Sequence, residues 1–427
     1  MSQITENPRG GCTLAGINSV LSAIQDVCPI YHSGPGCNMQ NVGAEHSQAG
    51  IKLSRFLDSA VPGTNMIEKD VVFGGIKKLK STVQGAVEVF NAKAYFILNG
   101  CTSGIIGDDI ESVALEYRQK GYEVYAVDTP GFTGDSNYGY ETIWNKFIEE
   151  IIEKQPVDDN LVNIFGIIPY HDPFWNGNLT EIKRILERIG LRVNTFYTDE
   201  QNFETVKTCS AAALNIVVHP WIFKGPAQKF EEKFHTPWIR IPGLPIGGTD
   251  TSSFLRTVGE KLNIDSVLVE KVIYEEEKRV YTYLSQAMSA ILWKRFAVVG
   301  EANSAVGITR YLANDYSFTP SLVIISEPIY REEDKQRIIE QVTTNLEYAK
   351  PPKVVFAADQ YIINQELEND ENISLIVGSS NEREAAMVLE CQYLIATFPI
   401  KDRLILDRAI AGYKGSLTFT EDLYYNL

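Results

Sequence analysis

Cysteine spacing offers the first chemistry. Cys12 stands in ENPRGGCTLAG and Cys37, 25 positions later, in PIYHSGPGCN, so both thiols sit in glycine-rich stretches. A structural cysteine usually hides inside an apolar run as a small hydrophobe. Bare backbone at Gly10, Gly11, Gly34 and Gly36 instead lets N–H groups approach a bound object closely. A third thiol, Cys101, directly follows the apolar run AYFILNG and opens CTSGIIGDDIESV, read as a loop between a strand and a helix. Three loop thiolates arriving from separate turns suit a soft metal centre. Their spacing contains neither a CxxC pair nor a ferredoxin-type run. The residues alone therefore leave two readings open: metal ligation, or glycines serving tight turns beside incidental thiols. Cys28, Cys209 and Cys391 lie within apolar or helical runs and are expected to pack.

Such loops need a frame, and the rest of the chain reads as α/β units. AKAYFILNG, a helical ESVALEYRQKG and YEVYAVDTPG form one group. A second runs from NLVNIFGIIPY through LRVNTFYTD and ALNIVVHP to PWIRIPG, and a third from KRFAVVGEANSAVG through SLVIISEP, KVVFAAD and SLIVGSS to YLIATFPI. Apolar strands alternating with amphipathic segments predict parallel sheets. The expected fold class is α/β, with three doubly wound Rossmann-like domains and mainly parallel sheets, whose ligand sites lie beyond the carboxyl ends of strands. The expected divisions are an N-terminal α/β domain over 1–157 carrying the cysteines and a middle α/β domain over 158–251. A helical connector over 252–293, packed on its Leu, Ile and Tyr face, then leads to a third α/β domain over 294–427 with a C-terminal return segment.

Composition narrows the function classes. A chain of 427 residues, 44% hydrophobic and 22% charged, is expected to fold as several domains. Its formal charge of −16 opposes nucleic acid or anionic lipid as a main partner, because phosphate contacts need clustered Lys and Arg. The start MSQITENPRG lacks a basic and an apolar signal region, and no apolar run approaches the ~20 residues that span a bilayer. A cytoplasmic location is expected, where thiols stay reduced and six cysteines form no disulfide framework. No GxxxxGK[ST] loop occurs, so ATP hydrolysis would fall to a partner.

Taken in order, NPRGGCTLAG, PIYHSGPGC, DVVFGGIKKLKSTV, NGCTSGIIGDDI, VDTPGFTGDSNYGYETI, LPIGGTDTSSFL, FPIKDR and GYKG resemble the component 1 proteins of nitrogenase over nearly the whole chain. The resemblance implies that homologous α and β subunits each give three cysteines to an iron–sulfur relay cluster at their interface. Those motif positions here are Cys12, Cys37 and Cys101. The implied cofactor is an 8Fe–7S cluster of the P-cluster type, or a 4Fe–4S-like variant, shared with an α-like subunit. An α-type chain holds the catalytic cofactor through a cysteine beyond a middle-domain strand and a histidine near the C-terminus. Here that strand end reads LNIVVHPWIFKG, with His219 and no cysteine, and no histidine follows FPIKDR. LPIGGTDTSSF and GYKG also look β-type.

The expectation is thus a β-like oxidoreductase subunit of an α2β2 heterotetramer that relays electrons from an ATP-hydrolysing 4Fe–4S iron protein to a cofactor in the α-like subunit. The family's TPSF element, whose serine can ligate the oxidised cluster, reads TPGF here, with Gly131 in the serine position. Together with a short N-terminal extension, this points to a nitrogenase-like reductase such as methylthio-alkane reductase. The alternatives are a true nitrogenase β subunit that reduces dinitrogen, a cofactor-assembly scaffold, or a metal-free α/β binding protein. Among neighbours of the motifs, His32 is expected to orient the Cys37 loop or to pack, and His219 to be a hydrogen-bonded structural residue. Arg9 reads as a surface arginine beside the Cys12 turn, or as a stabiliser of cluster charge. Asp108 and Asp109 read as first-turn carboxylates of a helix.

Overall fold

The computed structural model describes residues 8–40, 61–344, 346–347 and 349–425, so the MSQITEN start lies outside the described residues. Three sheets, parallel at every pairing, form the frame. The first contains β1 (Val27–His32), β2 (Ala94–Asn99) and β3 (Val124–Val127), in the order β1-β2-β3. The second contains β4 (Asp158–Phe165), β5 (Arg192–Asn194), β6 (Ala212–Val217) and β7 (Trp238–Arg240), ordered β5-β4-β6-β7. The third contains β8 (Arg295–Gly300), β9 (Thr319–Ile325), β10 (Lys353–Phe356), β11 (Leu375–Gly378) and β12 (Gln392–Ile395), ordered β10-β9-β8-β11-β12. Chain order reverses between β4 and β6 and between β8 and β11, which opens a crevice at the carboxyl ends of both sheets. The fold is α/β with three Rossmann-like units.

Helices on both faces explain the continuous apolar strands: every residue of β2 (AYFILN) is buried. Strand β1 takes in the PIYH that opens the Cys37 stretch, so the loop expected there begins only after His32. Its Pro29 lacks the N–H that a central strand requires, but β1 is an edge strand of its sheet. Tyr31, two residues on and of the same parity, donates its N–H outward to the Pro62 carbonyl at 2.9 Å. Proline is therefore harmless on that side.

The expected boundary at 251 falls inside a helix, Gly247–Lys261, and a second helix, Ser266–Met288, follows it. That second helix buries Val269, Val272, Ile273, Val280 and Leu284. Tyr274, Tyr281 and Tyr283 are exposed, so the apolar face is Val, Ile and Leu rather than Tyr. Both helices pack on the C-terminal helix Gly412–Tyr425, with Ser252 and Tyr413 hydroxyls 2.8 Å apart. One continuous buried cluster runs from Leu14 to Leu423. At the join of the first two sheets, Trp144 meets Phe165 and Phe196 edge-on, each at 4.9 Å between ring centroids, and donates its indole N–H to Tyr197.

Candidate functional site

All three motif cysteines stand at helix starts. Cys12 is the N-cap of Thr13–Ala23, in extended conformation, and its carbonyl accepts from Ala15 and Gly16 N–H. Cys101 is the first residue of Cys101–Ile106, directly beyond β2. Cys37 lies in a helical turn that begins at residue 35, just past β1, which corrects its assignment to a loop. A helix N-terminus favours negative charge and so suits a thiolate.

Two devices fix these starts. The Cys12 turn is stitched to the segment before helix Ser136–Lys146: Thr13 N–H donates to Gly134 O at 3.1 Å and Ser136 N–H to Gly11 O at 2.9 Å. The Cys37 and Cys101 turns share His32 at the end of β1. Its carbonyl accepts from Gly100 N–H at 3.0 Å and from the Ser103 hydroxyl. Its fully buried ring lies 3.2 Å from Thr64 Oγ1 and 2.9 Å from Asp108 Oδ2. Burial lowers the His32 pKa, against the upward pull of Asp108. Asp108 also accepts from Gly75 N–H with both oxygens, at 3.1 and 2.9 Å. It is thus a cross-brace rather than a first-turn carboxylate; only Asp109 caps a helix, accepting from Ser112 N–H.

The thiols face one another. A Cβ placed on Gly131 would stand 3.0 Å from Cys12 Sγ and 3.1 Å from Cys101 Sγ, so both sulfurs crowd the same bare backbone. Burial raises the pKa of the half-buried Cys37 thiol, Ser33 lowers it by a hydrogen bond, and Cys101 and Cys12 raise it further as like charges. Thiols that oppose each other's ionisation gain most from a bound cation or metal cluster. Cys12 is exposed and Cys101 partly so. Among the described residues, no three His, Cys, Asp or Glu side chains are grouped to hold a single metal ion. Cys28 and Cys209 are buried in the core, and burial pushes the Cys28 thiol up to about 12.

Arg9 is not a surface residue: it is 7% exposed and crosses to the third sheet's unit. Its guanidinium donates to Glu382, to Gln360 Oε1 at 3.0 Å and to Phe398 O. Beside it lies a cavity of about 540 Å³ between the three units, bordered by Cys12 and Arg9 on one side and by His219 and Glu327 on the other. His219 Nε2 is 3.2 Å from Glu327 Oε1, close enough for an ion pair but not aligned as a hydrogen bond, and Nδ1 has no partner. Burial would raise the Glu327 pKa, but His219, Ala302 N–H and the Asn137 amide together hold it below the ordinary value. The sequence reading passed over His171, Asp172, Glu301 and Glu327. Glu301 directly follows the strand KRFAVVG and Glu327 lies two residues beyond β9, so the strand-end rule that located Cys101 would have found both.

A family model described as nitrogenase component 1 type oxidoreductase matches residues 12–427. The nitrogenase iron-molybdenum cofactor biosynthesis protein NifE of Clostridium pasteurianum is 25% identical over 423 residues, covering 96% of this chain and 86% of that protein. The nitrogenase vanadium-iron protein beta chain of Trichormus variabilis is 24% identical over 439 residues, covering 96% and 91%. The nitrogenase molybdenum-iron protein alpha chain of Methanosarcina barkeri is 31% identical over 279 residues, covering 63% and 51%. Among solved structures, nitrogenase Cp1 at pH 6.5 superposes with a TM-score of 0.82 at 18% identity, over 100% of this chain and 93% of that one, a likeness of fold.

Proposed function

This chain belongs to the nitrogenase component 1 type oxidoreductase family, and from that premise we propose that it is the β-like subunit of an ATP-driven two-component reductase. Cys12, Cys37 and Cys101 would hold half of an iron–sulfur cluster of the P-cluster type, or a 4Fe–4S-like variant, shared with an α-like subunit. The observation that carries this reading is that the Cys12 and Cys101 sulfurs both lie against Gly131, with Cys37 near enough for both to raise its pKa, the three thiols coming from three separate helix starts. When bound, such a cluster supplies one-electron relay at potentials set by its ligands and surroundings. The chain's own contribution is to bind it with thiolates at helix N-termini and to keep one side free of side chains at Gly131. His32 and Asp108 lock two of the three thiol-bearing turns together. The neighbouring exposed apolar side chains Met39, Phe73 and Ile105 suit contact with the α-like partner. Electrons would come from a 4Fe–4S iron protein that hydrolyses ATP.

Gly131 in place of the family's serine supports a nitrogenase-like reductase, such as a methylthio-alkane reductase, ahead of dinitrogen reduction. A second reading, a cofactor-assembly scaffold, draws on the likeness to NifE over 96% of the chain. Retention of all three thiols favours the reductase.

The test is anaerobic co-purification with the α-like partner, followed by iron counting and EPR. Cys12→Ala, Cys37→Ala and Cys101→Ala should each lower bound iron and alter or abolish the cluster signal. Unchanged iron in all three variants would sink the assignment. Ethylene release from a methylthio-alkane, ammonia from dinitrogen, or neither, then separates the two reductases from the scaffold.

A further inference from the structure

The turn Gly131–Thr133 is wedged between the two helix starts that carry Cys12 and Cys101. On one side Thr133 Oγ1 lies 3.1 Å from Thr13 Oγ1, and on the other a Cβ added to Gly104 would fall 2.4 Å from Pro130 Cγ. Both helices are thus held against the same turn. The point left open is that of the missing Gly131 side chain, 3.0 Å from Cys12 Sγ and 3.1 Å from Cys101 Sγ. The Cys37 sulfur lies farther from it and accepts a hydrogen bond from the Ser33 hydroxyl.

Accessibility selects the same two thiols. Cys12 is exposed and Cys101 partly so, whereas Cys28 and Cys209 are buried, and Cys391 stands apart, just before β12 of the third sheet. Oxidants reach first the thiols that are open to solvent and placed at helix starts, and a neighbouring thiol then resolves the product. Where thiols stay reduced on average, such a pairing is transient, which suits a switch rather than a framework.

We propose that in the metal-free chain Cys12 and Cys101 form a reversible disulfide that shuts the site to a cluster until it is reduced. The oxidant is a peroxide. Cys12 Sγ attacks one oxygen of hydrogen peroxide, the O–O bond breaks, and water leaves behind a sulfenic acid on Cys12. Cys101 Sγ then attacks that sulfur: the S–S bond forms, the S–O bond breaks, and the oxygen departs as a second water with the Cys101 thiol proton. Each sulfur gives up one electron and the peroxide takes both. A reduced dithiol reverses the step by thiol–disulfide exchange. The disulfide itself uses no metal, while the shutting of the site rests on the cluster reading.

Peroxide treatment of the isolated full chain, kept free of iron, tests it. Equimolar hydrogen peroxide should remove two titratable thiols, and a non-reduced peptide map should show the Cys12 peptide joined to that of Cys101. Dithiothreitol should return both thiols. Gly131→Ala fills the shared point and, with its fold checked by a thermal melt, should slow the joining at least ~10-fold. Cys37→Ala should join at the parental rate. The proposal is overturned if Cys12 goes to sulfinic acid with no joined peptide, if it joins Cys37 or another chain, or if Gly131→Ala joins as fast as the parent. Iron uptake separates this proposal from the cluster reading: the joined chain should take up less iron than its dithiothreitol-reduced form. Equal uptake would overturn the shutting of the site together with cluster ligation by these thiols, and the peptide map would still decide the disulfide.

Discussion

Gly131 has no side chain, and the Cys12 and Cys101 sulfurs both lie against its bare backbone. A methyl there would stand at about the closest approach real side chains tolerate, 3.0 and 3.1 Å from two sulfurs, and those sulfurs can swing away only by leaving the point they share. Gly131→Ala should therefore lower iron occupancy and shift the cluster's EPR signal, while the apo chain's stability changes by less than about 1 kcal/mol. Iron counting beside a thermal melt separates the two effects. Asp108 has the opposite profile. Asp108→Ala strands the buried His32 ring and the Gly75 N–H, at a cost of about 2–3 kcal/mol, and frees the Cys101 helix start. Both the melt and thiol reactivity at Cys101 should register it, and Asp108→Asn, which keeps an acceptor for Gly75, should recover part of the loss. The thiols themselves were legible in the sequence because strand ends and glycines mark them locally. The Asp108–His32 brace was not, since the two residues are 76 positions apart and each alone reads as an ordinary helix or loop residue.

Between elements, the contact that matters most to the site is the crossing of helices Thr13–Ala23 and Ser136–Lys146. They meet backbone to backbone: a Cβ on Gly16 would fall 1.9 Å from Ser136 O, and one on Gly139 would fall 2.3 Å from Thr13 O. Neither neighbour is a side chain able to rotate away, so the helices themselves must separate. Gly139→Ala should cost about 2–3 kcal/mol and carry Cys12, the N-cap of the first helix, away from Gly131. A lower melting temperature together with faster alkylation of Cys12 is the expected pair of results. A loss of stability without any change at Cys12 would show that the crossing does not position the thiol. Sequence reading found most strands because, buried on both faces, they are continuous apolar runs. It missed β1, where Pro29 and the polar end at His32 imitate a turn, and only the bonds between Tyr31 and the Pro62–Thr64 segment show that the proline faces the outer side of the sheet's edge strand. It also turned the tyrosines of Ser266–Met288 inward, because their helical spacing fits an apolar stripe, whereas the buried stripe is the parallel one of Val269, Val272, Val280 and Leu284.

At the scale of the whole molecule, the junction concentrates buried charge, and its stability must follow pH. Glu301 ionises ordinarily near 4.5 and here near 8, so the fold is favoured while that carboxyl is protonated and loses the advantage as pH rises through 8. Asp172, raised by burial from 3.8 to about 6, acts in the same direction over a lower range. His171 acts oppositely: burial lowers it from 6.5 to about 4, so its contribution is intact above 6.5 and is lost as pH falls toward 4. Of these three groups only Glu301 titrates between about pH 6.5 and 8, and its contribution there should fall by at most about 2 kcal/mol, less for the solvent that the cavity admits. Glu301→Gln should flatten that segment of a melting-temperature profile. Arg9 ties the same junction together across 373 positions, a partnership that no local pattern in the sequence could reveal. Removing its guanidinium leaves Glu382 buried without a counter-charge, which typically costs about 3–5 kcal/mol. Arg9→Ala should therefore lower the melting temperature sharply. It should also speed alkylation of the already exposed Cys12, three residues away, because Arg9 is what holds that segment against Gln360 and Phe398. Adding Glu382→Gln removes the stranded charge and should return part of the stability without returning the Cys12 alkylation rate to that of the parent chain. If the double variant instead restores both, the arginine serves only to neutralise Glu382 and plays no part in seating the thiol.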